Sequence, residues 1–176
     1  METLKICKVR DVRTPNRAHP EDAGIDFYVP FNIDVDTFNE KCMTTGDAIE
    51  YKLNDAGNVT EMVLRPGESV LLPSGIKVKV PSGYMLQFTN KSGVAAKKHL
   101  IVGANTVDVG YEGECHINLH NVSTRNQTIY AGDKIVQGIL IPVNFAQTEV
   151  VDDEDALFGD SRSERGAGGF GSSGNA

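Results

Sequence analysis

The chain has 176 residues, 40% of them hydrophobic, and a formal charge of −7, enough for one domain with a sizeable core and too little for two. The acidic balance excludes a nonspecific nucleic-acid binder, which needs a basic surface against phosphate. No apolar run approaches the roughly 18 residues of a membrane span and the first residues lack a signal-peptide core, so the expectation is a soluble cytoplasmic protein with no membrane partner.

Along the chain, strand signals dominate. Residues 4–10 alternate apolar and polar, a period that sends one face to a core and the other to water. Asp22-Ala-Gly-Ile-Asp26 then precedes an aromatic strand and reads either as a glycine turn with a capping aspartate or as a polar site. Residues 32–62 look like an addition to the framework, a surface hairpin in which apolar runs at 48–53 and 59–64 flank Asn54-Asp-Ala-Gly-Asn58. Residues 76–80 alternate again, and turns at 65–67, 73–75, 81–83 and 131–133 are spaced as in a sandwich or barrel. Residues 92–99 are the longest helical candidate, two turns that need tertiary support. At their start, Lys91, Ser92 and Gly93 form an ordinary N-cap or an anion site.

The stretch 103–114 is rich in turns and carries Asp108 and Tyr111. A carboxylate there can take a proton from water, and the ring can pack against a sugar; the plainer reading is an Asx turn with a core tyrosine. Residues 115–120 alternate, with His116 and His120 on one face but about 13 Å apart at about 3.3 Å per residue, too far to share a metal. Gly132-Asp-Lys-Ile-Val-Gln137 is a turn entering a strand, with Gln137 a buried amide or a phosphate contact. Asp152-Asp-Glu-Asp155 reads as a solvated linker. Three widely spaced cysteines, Cys7, Cys42 and Cys115, without a C-x-x-C, indicate reduced thiols.

The last segment, residues 165–174, is half glycine and includes Arg165, Phe170, Ser172 and Ser173. Glycines let backbone N–H groups approach phosphate oxygens, serines add hydroxyl donors, arginine clamps a phosphate bidentately, and phenylalanine offers a face for a base. A disordered glycine and serine tail is the other reading. A lone arginine and a lone phenylalanine favour a nucleoside polyphosphate. The chain divides into an all-β domain at 1–148, an acidic linker at 149–164 and a glycine-rich arm at 165–176.

The order of these five segments, from Ala23 to Gly174, resembles the homotrimeric dUTP pyrophosphatase (dUTPase) family. The resemblance implies a β-jelly roll, or β-clip, with a flexible C-terminal arm. It implies a homotrimer with active sites at subunit junctions, hydrolysing dUTP to dUMP and pyrophosphate with Mg²⁺ held mainly by triphosphate oxygens rather than by protein ligands. By position, Asp108 would activate the attacking water, and Tyr111 would lie under deoxyribose and exclude a 2′-hydroxyl. Backbone from Asn105 through Thr106 to Val107 would read uracil. Lys91, Ser92, Gly93 and Gln137 would hold phosphates, and Asp26 would help order the catalytic region. Arg165 would take the γ-phosphate, Phe170 would cap uracil, and Gly171 with Ser172 would close on the phosphate chain.

Lys91 stands where the family usually has arginine, and Asn105 where glycine is frequent; asparagine tolerates positive φ better than most residues. The 32–62 hairpin is outside the minimal family core, and structural decoration, a trimer contact and a docking surface for another protein are all open to it. Two rival functions fit parts of the sequence. A dCTP deaminase of the same superfamily would use Glu112 or Glu114 for proton transfer, and a nucleotide-switched regulatory protein would contact its partner through the hairpin.

Overall fold

The computed structural model describes residues 2–42 and 49–168. Phe170, Gly171 and Ser172 of the expected arm, and positions 43–48 of the expected insertion, lie outside the described residues.

Alternation and turn chemistry produce four sheets within residues 1–144. The first eight strands are β1 (Lys5–Lys8), β2 (Ile25–Tyr28), β3 (Glu50–Leu53), β4 (Val59–Leu64), β5 (Ser69–Pro73), β6 (Ile76–Lys79), β7 (Tyr84–Asn90) and β8 (Leu100–Val102). They are followed by β9 (Thr106–Val107), β10 (His116–Asn121), β11 (Gln127–Tyr130) and β12 (Lys134–Pro142). The strands assemble in the orders β1-β6, β5-β10-β8, β11-β4-β3 and β2-β12-β7-β9. All pairings between named strands are antiparallel. The expected alternation holds in β6 and β10, whose odd and even positions differ in burial as a half-buried strand requires.

In β1, by contrast, all four residues are exposed. It is paired with β6 alone, and among the described residues no layer buries either of its faces, so the alternation of 4–10 is not reflected in its burial.

The segment 32–62 differs from the expected surface addition. Its hairpin forms as read: the Asn54 side-chain oxygen accepts N–H bonds from Ala56 and Asn58 at 3.0 Å each, and Gly57 takes φ +76° to close the turn. Yet β4 is the middle strand of its sheet, and Val59, Met62 and Leu64 are buried to 1% exposure or less. Before the hairpin, α1 (Val35–Thr37), capped by Asp34, leads into a π-turn at Phe38–Cys42 that buries Phe38 and Cys42. Phe38 meets the Tyr51 ring edge-on at 5.2 Å. Ile33, Phe38, Cys42, Ile49, Val59, Met62 and Leu64 therefore extend the core. Burying side chains of this size contributes about 1.5–3 kcal/mol each, which a purely decorative hairpin would forgo.

At the centre of the four-stranded sheet, Phe27 on β2 packs edge to face with Phe88 on β7 at 4.9 Å. This packing fixes β2, β12 and β7 side by side, so that Gln137 on β12 faces Asp26 on one side and Thr89 on the other. A seven-residue helix, α2 (Ser92–Lys98), follows β7 directly and ends where His99 adopts φ 51°.

Residues 145–176 form a second unit. In it, the acidic run supplies a short helix, α3 (Glu154–Phe158): the Asp153 carboxylate caps it by accepting the Ala156 N–H at 2.8 Å, and Glu154 and Asp155 occupy the first turn, where negative charge is favoured.

Candidate active site

Two groups of the expected site residues come together, each around a different end of β7. The first lies where β9 closes the four-stranded sheet. Val107 pairs with Leu86 and Thr106 with Gln87, while the Phe88 N–H donates to the Asn105 carbonyl at 2.8 Å. β9 is the last strand in the order, so its outer backbone edge has no strand partner among the described residues and is open to a base. Phe88, Asn105, Thr106, Val107, Asp108 and Tyr111 line a recess of about 200 Å³ here.

The turn beyond β9 is tightly specified. The Tyr111 N–H donates to the Asp108 carbonyl at 3.1 Å, and the Tyr111 hydroxyl donates to the Glu114 carbonyl at 2.9 Å. A Cβ on Gly113 would stand 2.3 Å from that hydroxyl, so only glycine lets the ring lie where it does. The Glu114 carboxylate accepts from Arg10 Nε at 2.8 Å and from the Gly75 N–H at 2.7 Å, anchoring the loop to the β5–β6 turn. Asp108 itself is exposed at the rim, and its carboxylate has no hydrogen bond or ion pair among the described residues. Glu114 is thus occupied structurally and does not offer the free glutamate that a deaminase would require.

The second group surrounds Asp26, which is 3% exposed on β2. Its carboxylate pairs with Lys91 through Oδ1, and with Lys134 through Oδ2 at 2.8 Å. Burial alone would raise its pKa, but the contacts and charges of Lys134 and Lys91 outweigh it and hold the carboxyl below its ordinary value. Gln137 donates from Nε2 to the Asn90 carbonyl at 3.1 Å. A Cβ on Gly24 would fall 2.2 Å from the Gln137 Oε1, so the glycine of the Asp22 to Asp26 segment makes room for this carboxamide. Beside Lys91, the residue at the N-terminal boundary of α2, Ser92 is exposed and Gly93 has open space where a Cβ would be.

Both groups lie along β7: Val107 is opposite Leu86 and the Asn105 carbonyl meets Phe88, while Gln137 is opposite Thr89 and bonds the Asn90 carbonyl at the end of the same strand. Arg165, in the second unit, is exposed and donates from Nε to the Gly168 carbonyl at 2.9 Å.

Lys134 carried no role in the sequence reading, although its segment did; the signal for it was a cation at the strand entry, with Tyr28 opposite it in the ladder. Arg10 was missed because its partner is 104 residues away. His116 and His120 each have their own acceptor or donor, the Glu114 carbonyl and the Asn118 side chain, both at 2.9 Å. No cluster of three or more His, Cys, Asp or Glu suited to a metal occurs among the described residues. No described helix is long and apolar enough to cross a membrane.

Comparison with known proteins gives one consistent result. The model of the dUTPase family matches residues 55–174. The deoxyuridine 5'-triphosphate nucleotidohydrolase of Wolbachia pipientis wMel is 32% identical over 176 residues, covering 99% of this chain and 95% of its own. That of Desulfotalea psychrophila is 39% identical over 116 residues, covering 65% and 73%. Among solved structures, the Staphylococcus bacteriophage 80alpha dUTPase with dUpNHpp matches with TM-score 0.73 at 24% identity, over 99% of this chain and 100% of that one. A mutant dUTPase from phage phi11 of S. aureus, in which a structural Mg(II) ion is coordinated, matches with TM-score 0.65 at 22% identity, over 86% and 98%. The shared architecture is the all-β jelly roll.

Proposed function

The chain belongs to the dUTPase family and hydrolyses dUTP to dUMP, and from that premise we propose that Asp108 activates the attacking water. The observation that carries this role is the unpaired Asp108 carboxylate at the rim of a recess whose other walls are the β9 edge and the fixed Tyr111 ring. A carboxylate already paired with a cation would have to give up that partner to receive a proton; Asp108 has none to give up.

The remaining roles are those that the family resemblance implies. Backbone at Asn105, Thr106 and Val107 pairs with the uracil edge, and Tyr111 supports the deoxyribose and crowds a 2′-hydroxyl. Lys91, the Ser92 hydroxyl, the Gly93 backbone and the Gln137 carboxamide receive phosphate oxygens, and Asp26 helps to order the region. Arg165, Phe170, Gly171 and Ser172 supply the arm's contacts to the γ-phosphate, the base and the phosphate chain. Catalysis is then positioning, neutralisation and proton removal, with pyrophosphate as leaving group.

Membership of the dUTPase family supports a homotrimer in which the recess of one subunit faces the Asp26 group of another. Mg²⁺ fits this donor set as an ion carried by the nucleotide: of the buried carboxylates, Asp26 is occupied by two ammonium groups and Glu68 accepts the Arg65 N–H, and no cluster suited to a metal occurs among the described residues. Bound there, the ion would neutralise phosphate charge and orient the triphosphate.

The test is Asp108→Asn. Pyrophosphate release from dUTP should fall by about 10²–10⁴-fold while α,β-imido-dUTP still binds. Undiminished turnover removes Asp108 from its role.

A further inference from the structure

We infer that Lys134 is a positioning residue for phosphate capture: it keeps the buried Asp26 carboxylate compensated while Lys91 is drawn to the nucleotide. This rests on the proposed role of Lys91 as a phosphate ligand and adds a residue to which no role is assigned above.

Asp26 holds two cations on one negative charge. Lys91 takes Oδ1 and Lys134 takes Oδ2, and the side-chain carboxylate between them is 4% exposed. The trio carries one net positive charge, so one ammonium is in surplus. Lys91 Nζ donates to the carboxylate, and the other N–H donors of its ammonium remain for phosphate. Drawing that ammonium onto a phosphate oxygen loosens its hold on Asp26.

That loosening is costly if it strands Asp26. A buried charge that loses its partner carries a penalty large enough to cancel the gain from a new ion pair. Lys134 removes the penalty, since the carboxylate remains paired through Oδ2. Oδ2 has no hydrogen-bonded partner of good geometry among the described residues, so its compensation is the ion pair with Lys134.

The two lysines are differently placed, and this decides which one turns to phosphate. Lys134 begins β12, opposite Tyr28 in the ladder, with its Nζ 5.8 Å from the centre of the Tyr28 ring. Lys91 sits at the junction between β7 and α2, directly before the exposed Ser92 and Gly93. A lysine head on a flexible four-carbon stem can swing between acceptors. Lys91, although the less exposed at 25% against 39%, is the one beside the proposed phosphate ligands Ser92 and Gly93, which leaves Lys134 with the carboxylate.

The test is calorimetric titration of the full chain with α,β-imido-dUTP in Mg²⁺, comparing wild type with Lys91→Met, Lys134→Met, Lys134→Arg and the double variant Asp26→Asn/Lys134→Met, each shown to melt cooperatively. Lys134→Met should weaken binding about ten- to a hundredfold. Lys134→Arg should retain the affinity that Lys134→Met loses. Asp26→Asn/Lys134→Met should regain most of it, because no carboxylate is left to strand; a lysine that merely braces the fold would show no such rescue. Wild-type affinity in Lys134→Met, or no recovery in the double variant, overturns the inference. If Lys91→Met binds as wild type, the phosphate role of Lys91 falls and this inference with it. If Lys91→Met weakens binding but Lys134→Met does not, only the role of Lys134 falls.

Discussion

Replacing Gly113 with alanine tests the Tyr111 ring without touching any group proposed to meet the nucleotide. The new Cβ would stand 2.3 Å from the Tyr111 hydroxyl oxygen, 2.5 Å from Cζ and 2.9 Å from Cε2. Ordinary contact begins near 3.4 Å, so the phenol must retreat by about 1 Å. The ring is 44% exposed and can move outward, so folding loses little beyond the hydrogen bond to the Glu114 carbonyl, about 0.5–1.5 kcal/mol. Function should lose more. A misplacement of about 1 Å costs about 100-fold in rate, or about 2.7 kcal/mol of transition-state stabilisation. Because the proposed task of the ring is to crowd a 2′-hydroxyl, the loss should fall on dUTP, with UTP much less affected. Pyrophosphate release from dUTP and UTP under matched conditions gives the ratio of kcat/KM values, which should collapse in Gly113→Ala and persist in Tyr111→Phe, where the ring stays in place. An unchanged ratio in Gly113→Ala would refute the argument that ring position sets sugar choice.

Thr89→Val should raise stability by about 1 kcal/mol in urea unfolding, since the buried Thr89 Oγ1 has no hydrogen-bond partner and valine has the same shape. Alkylation of the folded protein by iodoacetamide at neutral pH should modify Cys7, which is exposed, and spare Cys42 and Cys115, whose thiols are buried and pushed up by that burial to about 12 and about 11. Acid unfolding should reveal Asp26. Its pKa is lower folded than its ordinary 3.8, so its contribution is present above 3.8 and is lost as pH falls through the folded value. The Tm difference between wild type and Asp26→Asn should therefore be constant near neutrality and shrink below about pH 3.8.

The sequence revealed the strands wherever one face alone is buried, as in β6 and β10, because period-2 alternation records a half-buried strand directly. It misled at β1, where the alternation is present but, among the described residues, no layer buries either face. It also understated residues 32–64: the turn chemistry at Asn54 was plain, but nothing local shows that β4 will be flanked by β11, a strand more than sixty residues downstream. The same limit applies to the site. Asn105, Asp108 and Tyr111 fall in one short stretch and were readable as a unit. The pairing of Asp26 with Lys91 and Lys134, and of Arg10 with Glu114, arises only when distant strands meet.

The proposed sharing of an active site between subunits also bears on inheritance and dose. Under that proposal, a subunit lacking Asp108 and a subunit lacking Lys91 would each be impaired alone, yet an assembly mixing them would contain some junctions at which both intact halves meet. Two defective proteins combined should regain partial activity. A copy lacking Asp108 and co-expressed with a sound one would spoil only the junction to which it brings that residue, so activity should fall in proportion to its share.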